Sequence, residues 1–291
     1  MNCVHCSSKA VVSSPPYCKE HFILYIEEKV QRTIERFRLI DAGDKIAVAV
    51  SGGKDSQTVL YILHKLYGNV HGIAIDEGIP GYRDRTLKDL ETFCTTHSIP
   101  FGIHSFQNRF GKMLGSFPVH GGICTTCGVL RRYLLNERAA GYDKIATGHN
   151  LDDECQSVMM NLLKGNLFLL AKLGPKSGIV LRNGFTQRIK PLYLCTEKEI
   201  TTYAFLKGFP VDFIECPNAA DGFRSSVRDG LNNIEMQHAG TKCNIIETFL
   251  NILPSLKELH EGTRQIYCTH CGKPSMSELC KACMIVEDAY V

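Results

Sequence analysis

The stretch KIAVAVSGGKDSQTVLYILHKLYG, residues 45–68, constrains the fold of this 291-residue chain more than any other. Five apolar residues without polar alternation, Ile46 to Val50, describe a strand buried on both faces. A glycine turn follows, and from Gln57 to about Leu66 apolar residues recur at helical spacing. VHGIAID (70–76) repeats the buried-strand pattern, 82–99 reads as a helix, and PFGIHSF (100–106) and YDKIATGH (142–149) add strands between helical segments. This alternation predicts an α/β fold with a doubly wound parallel sheet.

The strand–loop–helix setting gives SGGKDS a mechanism. Gly52 and Gly53 let backbone approach an anion closely, and the helix start behind them offers unpaired N–H groups at a positive dipole end. Ser51 and Ser56 add hydroxyl donors and Lys54 a mobile charge. The pattern is not the Walker loop, because no Gly-Lys-Ser/Thr stands in the required frame. A second motif, TGHNLDDE (147–154), also follows a strand. There Gly148 permits close approach of a nucleotide, and Asp152 and Asp153 either hold Mg2+ or orient the attacked base, or simply cap the next helix. IDEGIPGYR, opening at Ile75, is placed to close over an adenine.

Fourteen cysteines are unusual at this length. Composition is otherwise ordinary, with 44% hydrophobic and 22% charged residues, no apolar run of about 18 residues and no charged-then-apolar leader at the N-terminus. The expected compartment is the cytoplasm, with no membrane partner, where thiols serve metals or catalysis. Cys3-x2-Cys6-x11-Cys18-x2-His21 fits a tetrahedral zinc site of three thiolates and one imidazole, and Cys268-x2-Cys271-x8-Cys280-x2-Cys283 an all-thiolate ribbon. Both are expected to be closed structural sites. The chain then divides into a zinc finger (1–25), a catalytic body (26–260) and a zinc ribbon (261–291). Cys94, Cys155, Cys195 and Cys243 stand alone and read as buried small hydrophobes.

Cys124-x2-Cys127 lacks an evident partner: it is a redox dithiol, half a zinc site, or part of an iron–sulfur cluster. The best remaining thiol is Cys216, placed after an expected strand, PVDFIE (210–215). Strand ends of a doubly wound sheet meet where nucleotides bind, so three thiolates converge there on this reading. A [4Fe-4S] cluster on three cysteines leaves one iron open, suited to carrying sulfide. Net charge is +3, but 155–195 contains no acid while Lys164, Lys172, Lys176, Arg182, Arg188 and Lys190 fall in it. This is a basic solvated face or a track for a polyanion. With FRSSVR (223–228), it supplies the candidate phosphate contacts.

SGGKDS looks like the signature of the N-type ATP pyrophosphatases. In full, the series Cys3/Cys6/Cys18/His21, SGGKDS, IDEGIPGYR, CTTC, GHNLDDE, Cys216-Pro and the terminal ribbon resembles the tRNA 2-thiouridine synthetase family, relatives of the tRNA 2-thiocytidine synthetases. The resemblance implies an enzyme that adenylates the C2 oxygen of a tRNA uridine with ATP and Mg2+, then replaces that oxygen with sulfide. It implies a phosphate loop from Ser51 to Ser56, Asp55 included, and cluster ligands at Cys124, Cys127 and Cys216. It also implies a catalytic aspartate at Asp153, an ATP-contacting glycine at Gly148, and a basic residue at Arg131 where relatives often carry lysine. Arginine keeps the charge without giving up a proton, so its role is electrostatic. The implied partners are tRNA and a sulfur donor, either a thiocarboxylated ubiquitin-like protein or free sulfide; a homodimer is open. The rival readings are a 2-thiocytidine enzyme on the same core and a thiolation through persulfide on Cys124 and Cys216 without iron. An RNA-binding scaffold with a vestigial ATP site is the third.

Overall fold

In the computed structural model, residues 1–119, 121–179, 185–212, 214–218, 222–262 and 266–288 are described; Arg182 lies outside them. One sheet organises the chain: β1 (Ile46–Val50), β2 (Val70–Asp76), β3 (Phe101–Ser105), β4 (Lys144–Thr147) and β5 (Gln187–Ile189). The spatial order is β3-β2-β1-β4-β5, with every pairing parallel. Ile46 sits beside Val70 on one side and Lys144 on the other, so β1 is central. The order reverses between β1 and β4, and a crevice opens beyond their carboxyl ends. SGGKDS leaves β1 and TGHNLDDE leaves β4, so both motifs meet at that point.

Among the described residues, nine longer helices surround the sheet: α1 (Lys19–Phe37), α2 (Lys54–Tyr67), α3 (Arg83–Thr96), α4 (Ile123–Arg138), α5 (Leu151–Leu163), α6 (Glu197–Lys207), α7 (Phe223–Gln237), α8 (Thr241–Glu258) and α9 (Lys281–Asp288). Alternation along β1 distributes them. Ile46, Val48 and Val50 enter a core shared with α1, α2, α3 and α6, whereas Ala47 faces a second core with α4 and α9. Both faces are covered, as the unalternating apolar strand requires. A third core joins α5, α7 and α8 through Cys155, Leu231 and Phe249.

Each end of the chain carries a two-stranded antiparallel hairpin, Val12–Ser13 with Pro16–Tyr17 and Ile266–Tyr267 with Pro274–Ser275. Residue 25 lies inside α1, so the first hairpin and the body share a helix. No helix among the described residues is long and apolar enough to cross a membrane.

Three expectations need correction. Helix α2 begins at Lys54, not Gln57, so Lys54, Asp55 and Ser56 form its first turn. PVDFIE is not a strand among its described residues. Gln57 donates to the Pro210 carbonyl (3.1 Å) and the Asp212 N–H is taken by Asp89 (3.0 Å), which tie the segment to helices instead of a sheet edge. Cys94, Cys155 and Cys195 are buried, but Cys243 is exposed. It sits on α8 outside the face formed by Lys242, Ile246, Phe249 and Leu253.

Candidate functional site

The loop after β1 is rigid for local reasons. Gly52 has φ +87°, and a Cβ there would lie 2.0 Å from the Thr86 carbonyl oxygen, so only glycine fits. The Ser51 N–H bonds the Ser56 hydroxyl at 3.1 Å, and that hydroxyl donates to the Gly53 carbonyl at 2.9 Å. Gly53 differs: its φ is −80°, and a Cβ would meet nothing closer than the Ser51 hydroxyl at 3.5 Å. Among the described residues nothing demands glycine at 53. Lys54 pairs with Asp55 (2.9 Å) and Glu197 (3.1 Å) beside this opening. Burial lowers the Lys54 pKa, yet the two carboxylates outweigh it and hold the ammonium above its ordinary value.

The loop after β4 packs directly on this cradle. A Cβ on Gly148 would stand 2.9 Å from the Asp55 and Ser56 backbone, so this glycine is required by loop-on-loop packing as well as any nucleotide. Asn150 caps α5 through the Asp153 N–H (3.0 Å), Asp153 returns the bond to the Asn150 N–H (3.3 Å), and the Asn150 amide donates to Asp55 at 3.1 Å. The two adjacent aspartates therefore part. Asp152 is buried on Lys242 and on the Glu197 N–H (2.7 Å). Asp153 is half-buried; burial raises its pKa, with Arg224 opposing.

IDEGIPGYR packs inward at several of its residues. The Ile75 side chain is buried in the second core and its carbonyl accepts from Arg83. Arg83, 3% exposed, also donates to the Ser51 carbonyl and pairs with Glu77 at 3.0 Å. Glu77, equally buried, pairs with Arg131 on its other side, and Arg131 donates to Cys127 Sγ at 3.1 Å. An unbroken chain of contacts thus runs from the phosphate loop to the Cys124-x2-Cys127 turn. Glu77, Arg83 and Asn150 were not singled out as site residues from the sequence, although each lies within a motif that was.

Cys127 is buried, and that burial pushes its thiol up while Arg131 pulls it down and Glu77 and Cys216 push it further up. Cys124, exposed, donates to the Asn218 carbonyl at 2.8 Å, two residues from Cys216. The three thiols therefore share one region. Among the described residues, groups of three or more ligand atoms within 4.8 Å of one another occur only at the two ends of the chain, so the trio is spread too widely for one small ion. At the ends, Cys6–Cys18 and Cys271–Cys280 sulfur pairs stand 3.8 Å apart, close to the edge of a tetrahedron with ~2.3 Å metal–sulfur bonds. His21 turns Nδ1 to Cys3 and Cys6 (both 3.5 Å) and Cys18 (3.2 Å), and the Cys280 N–H supports Cys268 Sγ at 3.3 Å. Cys283 completes the second group. Both sets could bind a metal.

The acid-free segment is not uniform. Lys190 is buried in an ion pair with Glu154 at 2.7 Å, which corrects its reading as a phosphate contact. Lys164, Lys172 and Arg188 instead line one open groove with Arg224.

A PP-loop domain family matches residues 26–234. A tRNA-5-methyluridine(54) 2-sulfurtransferase of Pyrococcus horikoshii is 36% identical, over 97% of this chain and 93% of its own. Cytoplasmic tRNA 2-thiolation protein 1 of Saccharomyces cerevisiae is 33% identical, over 97% and 84%. Among solved structures, the U34-tRNA thiolase NcsA from Methanococcus maripaludis with its [4Fe-4S] cluster aligns with a TM-score of 0.83 at 31% identity, covering 99% of this chain and 96% of that one.

Proposed function

The chain belongs to the PP-loop family and, within it, to the tRNA 2-thiolation sulfurtransferases, and on that premise we propose that it converts a tRNA uridine to 2-thiouridine at the expense of ATP. The observation that carries this reading is the contact chain Ser51–Arg83–Glu77–Arg131–Cys127, which joins a phosphate cradle to a thiol trio. A scaffold without chemistry has no use for that coupling.

ATP enters with its phosphates over Ser51–Ser56. The N–H groups at the start of α2 and the Lys54 ammonium meet the charge that develops there. Asp55 is the loop's own carboxylate for a Mg2+ that arrives with ATP. The uridine C2 oxygen attacks the α-phosphorus, and the bond to pyrophosphate breaks. Asp153 takes the N3 proton as this happens, which raises the nucleophilicity of the oxygen. Hydrosulfide then adds at C2, its proton leaves, and the C2–O bond breaks with both electrons departing on AMP. No net redox change occurs.

Cys124, Cys127 and Cys216 would hold a [4Fe-4S] cluster, which when bound supplies an iron free of protein ligands for sulfide. Arg131 holds Cys127 in place and faces its sulfur with positive charge. Cys3, Cys6, Cys18 and His21, and the four C-terminal cysteines, would hold one Zn2+ each in a purely structural role.

The decisive experiment is mass spectrometry of tRNA nucleosides after anaerobic incubation with ATP, Mg2+ and sulfide, with fragment mapping to assign the position. Appearance of 2-thiouridine supports the reading; pyrophosphate release without thiolation, or 2-thiocytidine, overturns it. Elemental analysis should give two zinc and four iron per chain, and thiolation by iron-free protein would leave persulfide chemistry in place of the cluster. Gly53→Ala should raise the KM for ATP about tenfold, the loss of roughly one charge-assisted hydrogen bond, while melting within a couple of degrees of the parent protein. An unchanged KM would mean the phosphates do not pass residue 53.

A further inference from the structure

A groove of about 840 Å³ lies against the sheet edge, between α4, α5 and β5, with the Pro274–Ser275 strand at its rim. We propose that this groove receives the target nucleotide of the RNA, turned out of its stack, with Arg132 and Arg188 on the adjoining phosphates. The proposal rests on the tRNA reading above and assigns that substrate a place.

Charge is the first argument. Arg132, Lys164, Lys172, Arg188 and Arg224 line the groove, and among the described residues no Asp or Glu does. Of these, Arg132, Lys164, Arg188 and Arg224 form no ion pair among the described residues. Arg188 donates only to the Asn136 side chain (3.0 Å) and the Arg132 carbonyl (3.5 Å). Burial, and then repulsion from Arg132, bring the Arg188 guanidinium down to about 10. Such a cluster is relieved by a polyanion, and two arginines side by side suit phosphate oxygens.

The remaining lining identifies the polyanion as a nucleotide. Met160, Leu173 and Phe185 give an apolar wall that a bare phosphate does not need, and a base face does. Asn136, Asn161 and Gln187 bring amides that both donate and accept, as base edges require. The volume lies in the usual range for pockets of nucleotide-sized ligands.

Position is the third argument. Arg224 donates to the Ser157 hydroxyl at 3.1 Å within the groove, and its charge acts on Asp153. Arg132 on the opposite wall has Cys127 as an electrostatic neighbour. The groove thus borders, through Arg224 and Arg132, the residues that act on Asp153 and Cys127. Enzymes that alter a base inside a folded RNA turn it out of its stack, and this groove has room for one. The C-terminal tail of a protein sulfur donor brings a single carboxylate and has no use for five cations.

The test uses anaerobically reconstituted full-length protein, a tRNA transcript and free sulfide. Arg188→Gln and Arg132→Gln should each raise the KM for tRNA about tenfold or more while the KM for ATP stays put. Arg188→Lys should recover part of the loss. A transcript with photoreactive 4-thiouridine at the modified position should crosslink to peptides carrying Met160 or Phe185. If Arg188→Gln fails to fold, Asn161→Leu carries the same expectation. Unchanged KM for tRNA in all variants, or crosslinks confined elsewhere, overturns the groove assignment while wild-type thiolation leaves the enzymatic reading standing. Loss of use of a thiocarboxylated protein donor with the KM for tRNA intact would reassign the groove to the donor. Wild-type protein that does not thiolate tRNA sinks both.

Discussion

Replacing Glu77 with glutamine should lower the melting temperature by roughly 10 °C and reduce bound iron in the same step. Glu77 is 3% exposed and stands between two guanidiniums, Arg83 at 3.0 Å and Arg131. An amide has one acceptor oxygen, and its N–H2 would face an arginine. Breaking a buried pair from one side costs about 3–5 kcal/mol, because the partner's charge stays behind without compensation. Here that partner, Arg83, also tethers the carbonyls of Ser51 and Ile75, so the ends of β1 and β2 loosen with it. Arg131 meanwhile loses its anchor and no longer positions Cys127. Calorimetry and iron analysis check the two halves separately. Arg131→Ala is the control: its side chain is 45% exposed, so it should lose iron yet melt near the parent temperature. A Glu77→Gln protein that melts unchanged and keeps its iron would remove the contact chain from the argument.

That contact chain also marks where reading the residues ran short. Strand β1 was legible to the residue, because an apolar run without alternation has one stable home in a sheet covered on both sides. The terminal metal sites were legible because each knuckle is local, set by two-residue spacing. Glu77 was hidden for the opposite reason. No local pattern marks it, and its partner Arg131 is 54 residues away. Cys216 reached the expected region by an unexpected path, held by bonds from Gln57 and Asp89 to its segment and not by a strand. The charge pattern of 155–195 was visible, but only packing separates Lys190, neutralised by Glu154, from Arg188, which meets no carboxylate among the described residues. Pairings between distant polar groups depend on how helices dock, and no periodicity encodes them.

The neighbouring aspartates 152 and 153 should respond oppositely to the same change. Asp153→Asn is expected to slow thiolation by about 10²–10⁴-fold, the usual range for losing a general base, while folding and the KM for ATP hold. Asparagine is nearly isosteric and still accepts from the Asn150 N–H, so the capping box that positions α5 survives. What is lost is the ability to take a proton at the crevice. Asp152→Asn should do the reverse. Asp152 is bound to Lys242, both side chains only 11% exposed, and neutralising it strands an ammonium in the interior. The Asn232 side chain and the retained amide oxygen soften that loss, which should come to about 3 kcal/mol of stability with turnover at permissive temperature little altered. Single-turnover nucleoside analysis and thermal melts on the two proteins read these outcomes directly. If Asp153→Asn turned over normally, proton abstraction would have to come from elsewhere in the crevice; if Asp152→Asn lost turnover without losing stability, the roles of the two carboxylates would be exchanged.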